Sequence, residues 1–200
     1  MPSTPRPAAE VDVTAARVSH LLAEQHPDLA DLPLHFVASG WDNAVFRLGD
    51  RYAVRLPRRR VAAQLIEHEA RWLAELAPPL PLPIPVPLRV GAPGAGYPWA
   101  WTVVPWLPGS MVIEDPPTDL DEAALSLGAF VGAMGSPAPA DAPPNRYRGV
   151  PLAERHVAVM ARIKAALPEP LRDRAHEVWR EAMAAPPHTG DPVWLHGDLH

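Results

Sequence analysis

Proline restricts this chain more than any other residue. There are 28 prolines in 200 residues, against a typical share of about 5%. They fall in groups, chiefly Pro78–Pro87, Pro105–Pro117, Pro137–Pro151 and Pro186–Pro192. Proline lacks the N–H that a helix interior or a ladder needs, and it clashes with the preceding helical turn, so each group closes the regular structure on either side. The groups act as punctuation, and the blocks between them must each be a short helix or strand. Ser136–Pro144 is a biased loop and not a disordered domain.

Those blocks can still fold. Hydrophobic residues make up 48% of the chain and charged ones 20%, enough apolar surface for one domain or two small lobes. A net charge of −5 argues against a general nucleic-acid binder. The absence of cysteine excludes disulfides, thiol catalysis and thiolate metal sites. No apolar run approaches the roughly 18 residues of a membrane span, and Met1–Val13 lacks the apolar block of a secretory signal. A cytoplasmic protein with no membrane partner is expected.

Periodicity assigns the blocks. Val11, Ala15, Val18, Leu21 and Leu22 recur at helical spacing and predict a helix from Val11 to Gln25, stopped by His26-Pro27. Leu34–Ser39, Ala44–Leu48 and Tyr52–Leu56 read as strands, the last two joined by a hairpin turn at Gly49-Asp50. A helix over Val61–Ala77 directs Leu65, Ile66, Trp72, Leu73 and Leu76 at a core, and strands follow at Val86–Val90 and Trp99–Val104. Beyond the connector Pro105–Gly109, three helices are expected at Thr118–Met134, Pro151–Leu167 and Glu169–Ala184. Thr118 is the expected N-cap of the first of them, with Asp119, Asp121 and Glu122 complementing the helix dipole. Trp72, Trp99, Trp101, Trp179 and Trp194 read as core aromatics. The whole is an α+β chain: five strands, then helices.

Four features can carry chemistry. His196-Gly197-Asp198-Leu199-His200 follows the apolar run Val193–Leu195, and a carboxylate in such a loop suits the removal of a proton from a substrate hydroxyl. A polar surface turn is the plain alternative. A second is an N,O metal set from the alternating His196, Asp198 and His200. Arg55 stands on the third strand where the kinase pattern has a lysine, or is an exposed strand cation. On the following helix Glu67 and Glu69 are about 200° apart, so only one can face the sheet. Glu69, bordering Trp72 and Leu73, is the expected partner of Arg55. Finally, Ser39-Gly40-Trp41-Asp42-Asn43-Ala44 joins the first two strands and permits a tight turn whose amides approach phosphate, or is an ordinary hairpin loop.

Taken in order, the segments SGWDNAVFRLG, YAVRLPR, EHEARWLAEL, YPWAWTVVPWLPG and VWLHGDLH resemble the aminoglycoside phosphotransferase family, small-molecule kinases related to choline kinase. The likeness runs from Leu34 to His200. It implies a protein-kinase-like two-lobed fold: a five-stranded antiparallel nucleotide-binding lobe at 1–104, a hinge at 105–109 and an incomplete helical lobe at 110–200. Gly40, Asp42 and Asn43 would belong to the nucleotide-positioning loop, with Arg55 on phosphate and Glu69 bracing it. Val104 and Trp106 would lie in the connector Val104–Leu107, at the junction of lobe and hinge, whose backbone meets adenine; Asp198 would be the catalytic base and His196 would support its loop. ATP and Mg²⁺ are the implied cofactors, and the acceptor is a hydroxyl of a small molecule. A metal-binding Asn five positions after Asp198 would fall at 203, past His200, as would the later metal-binding Asp. The 200-residue chain is therefore expected to be a fragment that does not turn over, with nucleotide affinity at best and unpartnered apolar faces over 151–184.

Overall fold

The computed structural model describes residues 7–145, 148–197 and 199. Close packing divides the chain into two compact units, Met1–Ala133 and Met134–His200.

The first unit is built on an antiparallel sheet of five strands: β1 (Leu34–Ser39), β2 (Asn43–Leu48), β3 (Tyr52–Pro57), β4 (Arg89–Gly91) and β5 (Trp101–Pro105), ordered β1-β2-β3-β5-β4. Two of its helices are α1 (Ala15–Gln25) and α2 (Arg60–Leu76). The expected five-stranded antiparallel sheet is thus present. Period-two alternation gives the sheet two different faces. Ala44, Phe46, Leu48, Val54, Leu56, Trp101 and Val103 are buried on one face and cluster with Val18, Leu21 and Leu22 of α1. Spacings of three and four along α1 place those three side chains on one stripe. Each fully buried leucine or valine contributes about 1.5–3 kcal/mol.

The register fixes what shares the opposite face. Arg47 pairs with Ala53 and Ala53 with Val104, while Val45 pairs with Arg55 and Arg55 with Thr102. Helix α2 packs against β3 and β5. Its buried residues Ala62, Ile66 and Trp72, with the half-buried Glu69 and Leu73, point to one sheet-facing side.

Several boundaries differ from the sequence reading. Helix α1 begins at Ala15, not Val11, because Thr14 is its N-cap and accepts from the amide of Arg17. Strand β4 loses 86–88, where Pro87 has no amide to give, although the amide of Leu88 still donates to the carbonyl of Val103 (2.8 Å). Leu65, expected inside, is 49% exposed, since it sits about 100° around the helix from Ile66. The cap of α3 (Leu120–Met134) is Asp119 in place of Thr118: its Oδ1 accepts from the amides of Asp121 and Glu122 at 3.0 and 2.9 Å.

The second unit holds α4 (Leu152–Ala166) and α5 (Glu169–Ala184), which pack on each other. Trp179 donates through Nε1 to Nδ1 of His156 (2.9 Å). Trp179 and Trp194 are half-buried, and so is Trp99 in the first unit, so of the five tryptophans expected in a core only Trp72 and Trp101 are buried. Val157, Leu171 and Val178 are exposed.

His26, which caps α1, packs edge-on against Trp101 with ring centroids 5.3 Å apart. Desolvation, then the positive charge of Arg89, holds its pKa below the ordinary 6.5, with Asp28 opposing. The unfolded chain therefore binds the proton more readily than the folded one. Stability is expected to fall as pH drops through about 6.5 toward the depressed folded value. Thermal melts across that window should show a shallower fall for His26→Phe; an unchanged pH profile would count against the assignment.

Candidate nucleotide-phosphate site

Arg55 and Glu69 are the centre of the α2-facing side of the sheet. The strand alternation that buries Val54 and Leu56 against α1 turns Arg55 the other way, and Glu69 lies on the same side of α2 as Ala62 and Ile66. The two side chains form a bidentate ion pair: Nη1 donates to Oε2, and Nη2 to Oε1 at 3.2 Å. They remain 19% and 28% exposed, so the pair is screened but not fully solvated. Its worth lies between the ~0.5 kcal/mol of an exposed pair and the ~3 kcal/mol lost on breaking a buried one. Glu67 is exposed. Of the two glutamates, the structure pairs Glu69 with Arg55.

Thr102, cross-strand from Arg55, is fully buried, and its Oγ1 has no hydrogen-bond partner among the described residues. A buried unmet hydroxyl costs about 1–3 kcal/mol, whereas an isosteric apolar group costs little. Thr102→Val is therefore expected to stabilise the protein by ~1 kcal/mol. Denaturant midpoints would check this, and a loss of stability would show that the hydroxyl is satisfied.

The β1–β2 turn lies at one end of this face. The amide of Gly40 donates to the carbonyl of Asn43 (2.8 Å), and Asn43 opens β2 opposite Pro57. The Asn43 side-chain oxygen is buried with no hydrogen-bond partner among the described residues. Asp42 pairs with Arg59 at 2.6 Å. Sequence reading gave Arg58 no role beyond closing the segment YAVRLPR and did not single out Arg59.

At the other end of the face stand Val104 and Trp106. Val104 is buried. The amide of Trp106 donates to the carbonyl of Arg51 (2.8 Å), so that N–H is committed to the sheet. Its indole carries the guanidinium of Arg47 at 4.1 Å from the ring centroid. Between the turn and Trp106 the face therefore offers a cation braced by a carboxylate, apolar Val45, Ala53 and Val104, and an aromatic–arginine stack. Apolar side chains next to a braced cation are the residue types that suit a planar base carrying phosphates.

In the second unit, His196 is exposed. Val193 bridges Pro137, the amide of Trp194 donates to Ser136 (2.9 Å), and the amide of Ala138 donates to Pro192 (2.9 Å). Gly197 adopts φ +78° and accepts through its carbonyl from Arg148 Nε. The expected base Asp198 lies outside the described residues, as does His200. Among the described residues no three His, Asp or Glu side chains gather as a metal-ligand set, and no helix is long and apolar enough to cross a membrane.

Comparison with known proteins fits this architecture. Among solved structures, the GDP complex of wild-type aminoglycoside 2'-phosphotransferase-IIIa superposes with a TM-score of 0.67 at 18% identity, over 93% of this chain. Macrolide 2'-phosphotransferase MphH from Brachybacterium faecium gives a TM-score of 0.61 at 26% identity, over 92% of this chain. The chain spans 65% of the length of each. ADP-bound aminoglycoside phosphotransferase APH(2'')-Ib matches over 84% of this chain and 57% of its own, at 14% identity and a TM-score of 0.51. No curated protein sequence matches. The family model of the phosphotransferase enzyme family, APH, matches residues 33–200. With 168 of 200 residues inside that model and the fold shared, the chain belongs to the phosphotransferase enzyme family.

Proposed function

We propose that the chain is the nucleotide-binding part, with the start of the catalytic part, of a kinase that moves the γ-phosphate of ATP to a hydroxyl of a small molecule. The observation that carries this reading is the bidentate Arg55–Glu69 pair on the α2-facing side of the sheet, in a chain that matches the family model over 33–200. Arg55 holds phosphate oxygens, and Glu69 fixes the guanidinium so that little side-chain freedom is lost on binding. Val45, Ala53 and Val104 would receive the purine, with Trp106 beyond them, and the Gly40–Asn43 turn would hold the phosphates. In this reading residues 1–104 hold nucleotide, 105–109 are the hinge and 110–200 begin the helical lobe.

Asp198 accepts the proton of the acceptor hydroxyl as that oxygen bonds to the γ-phosphorus, the bond from the γ-phosphorus to the β–γ bridging oxygen breaks and ADP leaves with the electron pair; His196 positions the loop. When bound, a nucleotide would supply the transferable phosphoryl group and Mg²⁺ would neutralise its phosphate charge. Aminoglycoside and macrolide phosphotransferases among the similar structures support a polyhydroxylated natural product as the acceptor class.

Thermal melts with and without millimolar ATP test the binding half, and transfer of labelled γ-phosphate to kanamycin or a macrolide tests the chemistry. A melting point raised by several degrees is expected from saturating ligand. No shift with ATP or GTP would remove the reading. A shift without transfer to any acceptor would reduce it to a nucleotide-binding module.

A further inference from the structure

The β1–β2 turn is fastened to the corner between β3 and α2. The last β2–β3 pair is Asn43 with Pro57, and the ladder continues one step further, the amide of Arg58 donating to the carbonyl of Asp42 at 2.8 Å. The Arg58 guanidinium then reaches the carbonyl of Gly40 (2.8 Å), while Arg59 pairs with the Asp42 carboxylate (2.6 Å). Two consecutive side chains thus hold the turn at both of its ends. The Asp42 and Arg59 side chains are 35% and 18% exposed.

This arrangement resolves a conflict of charge. A turn that covers polyphosphate is poorly served by a carboxylate, because like charges a few ångströms apart in a partly desolvated site repel strongly. Asp42 sits in that turn. Its charge is matched by Arg59, and the pair leaves Arg55 with its own partner, Glu69. We propose that Arg58 and Arg59 are positioning residues: together they latch the turn closed, and Arg59 masks Asp42 so that the turn tolerates a nucleotide's phosphates. The inference rests on the nucleotide reading of this face and deepens it.

The test is a double-mutant cycle read by ADP affinity in the full 200-residue chain, with amide exchange of the turn measured in the absence of nucleotide. Arg59→Gln is expected to weaken ADP binding about tenfold, because an unmatched carboxylate then faces the phosphates. Asp42→Asn removes the carboxylate that Arg59 masks and is expected to tighten ADP binding by about threefold. The double variant should recover most of the loss, and Arg59→Lys should retain affinity because it keeps the charge. If the double variant binds as poorly as Arg59→Gln, Arg59 contacts phosphate itself and the masking role is overturned. An unaffected Arg59→Gln overturns it too. Should Arg59→Gln fail to fold, loss of affinity in Arg59→Lys alone would do the same. Exchange at the Gly40 amide is expected to quicken about tenfold in Arg58→Gln. Unchanged exchange ends the latch even where ADP binds normally, whereas quickened exchange in a chain that never binds ADP ends the nucleotide reading and the masking role with it, leaving the latch alone.

Discussion

Arg55→Met is expected to weaken nucleotide binding by about 10- to 100-fold, the loss of one or two charge-assisted hydrogen bonds to phosphate at ~1.5–3 kcal/mol. Methionine keeps the unbranched apolar stem of the side chain, so the strand and its contacts with α2 should survive. Glu69 would then be left beside an apolar neighbour, and its exposure of 28% lets water satisfy much of that charge. The fall in stability should therefore be smaller than the fall in affinity, near ~1 kcal/mol. Arg55→Lys should recover part of the binding, because it restores the charge but not the two-pronged grip. Titration calorimetry with ATP and a denaturant melt separate the two effects. An Arg55→Met protein that binds ATP like the parent would remove Arg55 from the site.

Gly91→Ala is expected to cost more stability than any other small change in the sheet. Gly91 lies cross-strand from Trp101, and a methyl group there would sit 1.9 Å from Cε2 and 2.2 Å from Nε1 of the indole. The ring cannot give way easily. It is fully buried, donates to the carbonyl of Ala92 (3.1 Å) and meets His26 edge-on. The glycine is needed for space, because the indole occupies the place a Cβ would take. Overpacking of this kind costs ~3 kcal/mol, or on the order of 10 °C in melting temperature for a chain of this size. Combining Gly91→Ala with Trp101→Leu should cost less than the sum of the two, since the smaller side chain makes room. Additive losses would show that the clash is not the cause.

The sheet was legible where local chemistry and tertiary demand agree. Gly49-Asp50 between two alternating runs marks the β2–β3 hairpin, and Gly49 does adopt φ +55°. Helix α5 falls on Glu169–Ala184 as read, bounded by Pro168 before it and Pro186 after. Glu69 could be chosen over Glu67 from helix geometry alone.

Legibility failed where the outcome depends on partners distant in sequence. Leu65 and Ile66 are equally apolar, and only the position of the sheet decides that Ile66 is the buried one. Thr118 and Asp119 both make good caps, and one residue of backbone phase decides between them. Arg58 and Arg59 look like any basic surface run. They gain a role because β3 delivers them opposite a turn some 17 residues earlier in the chain. That long-range match is what ties the β1–β2 turn to the corner between β3 and α2.

The most direct measurement is a titration of the isotopically labelled chain with ADP, followed by backbone amide resonances. Saturable shifts are expected at the 39–43 turn, on β2 and β3 around Val45, Ala53 and Arg55, and along Thr102–Trp106. Val18, Leu21 and Leu22, on the helix that covers the other face, should stay still. Shifts centred on that helix, or none at millimolar ADP, would contradict a nucleotide site built on Arg55 and Glu69.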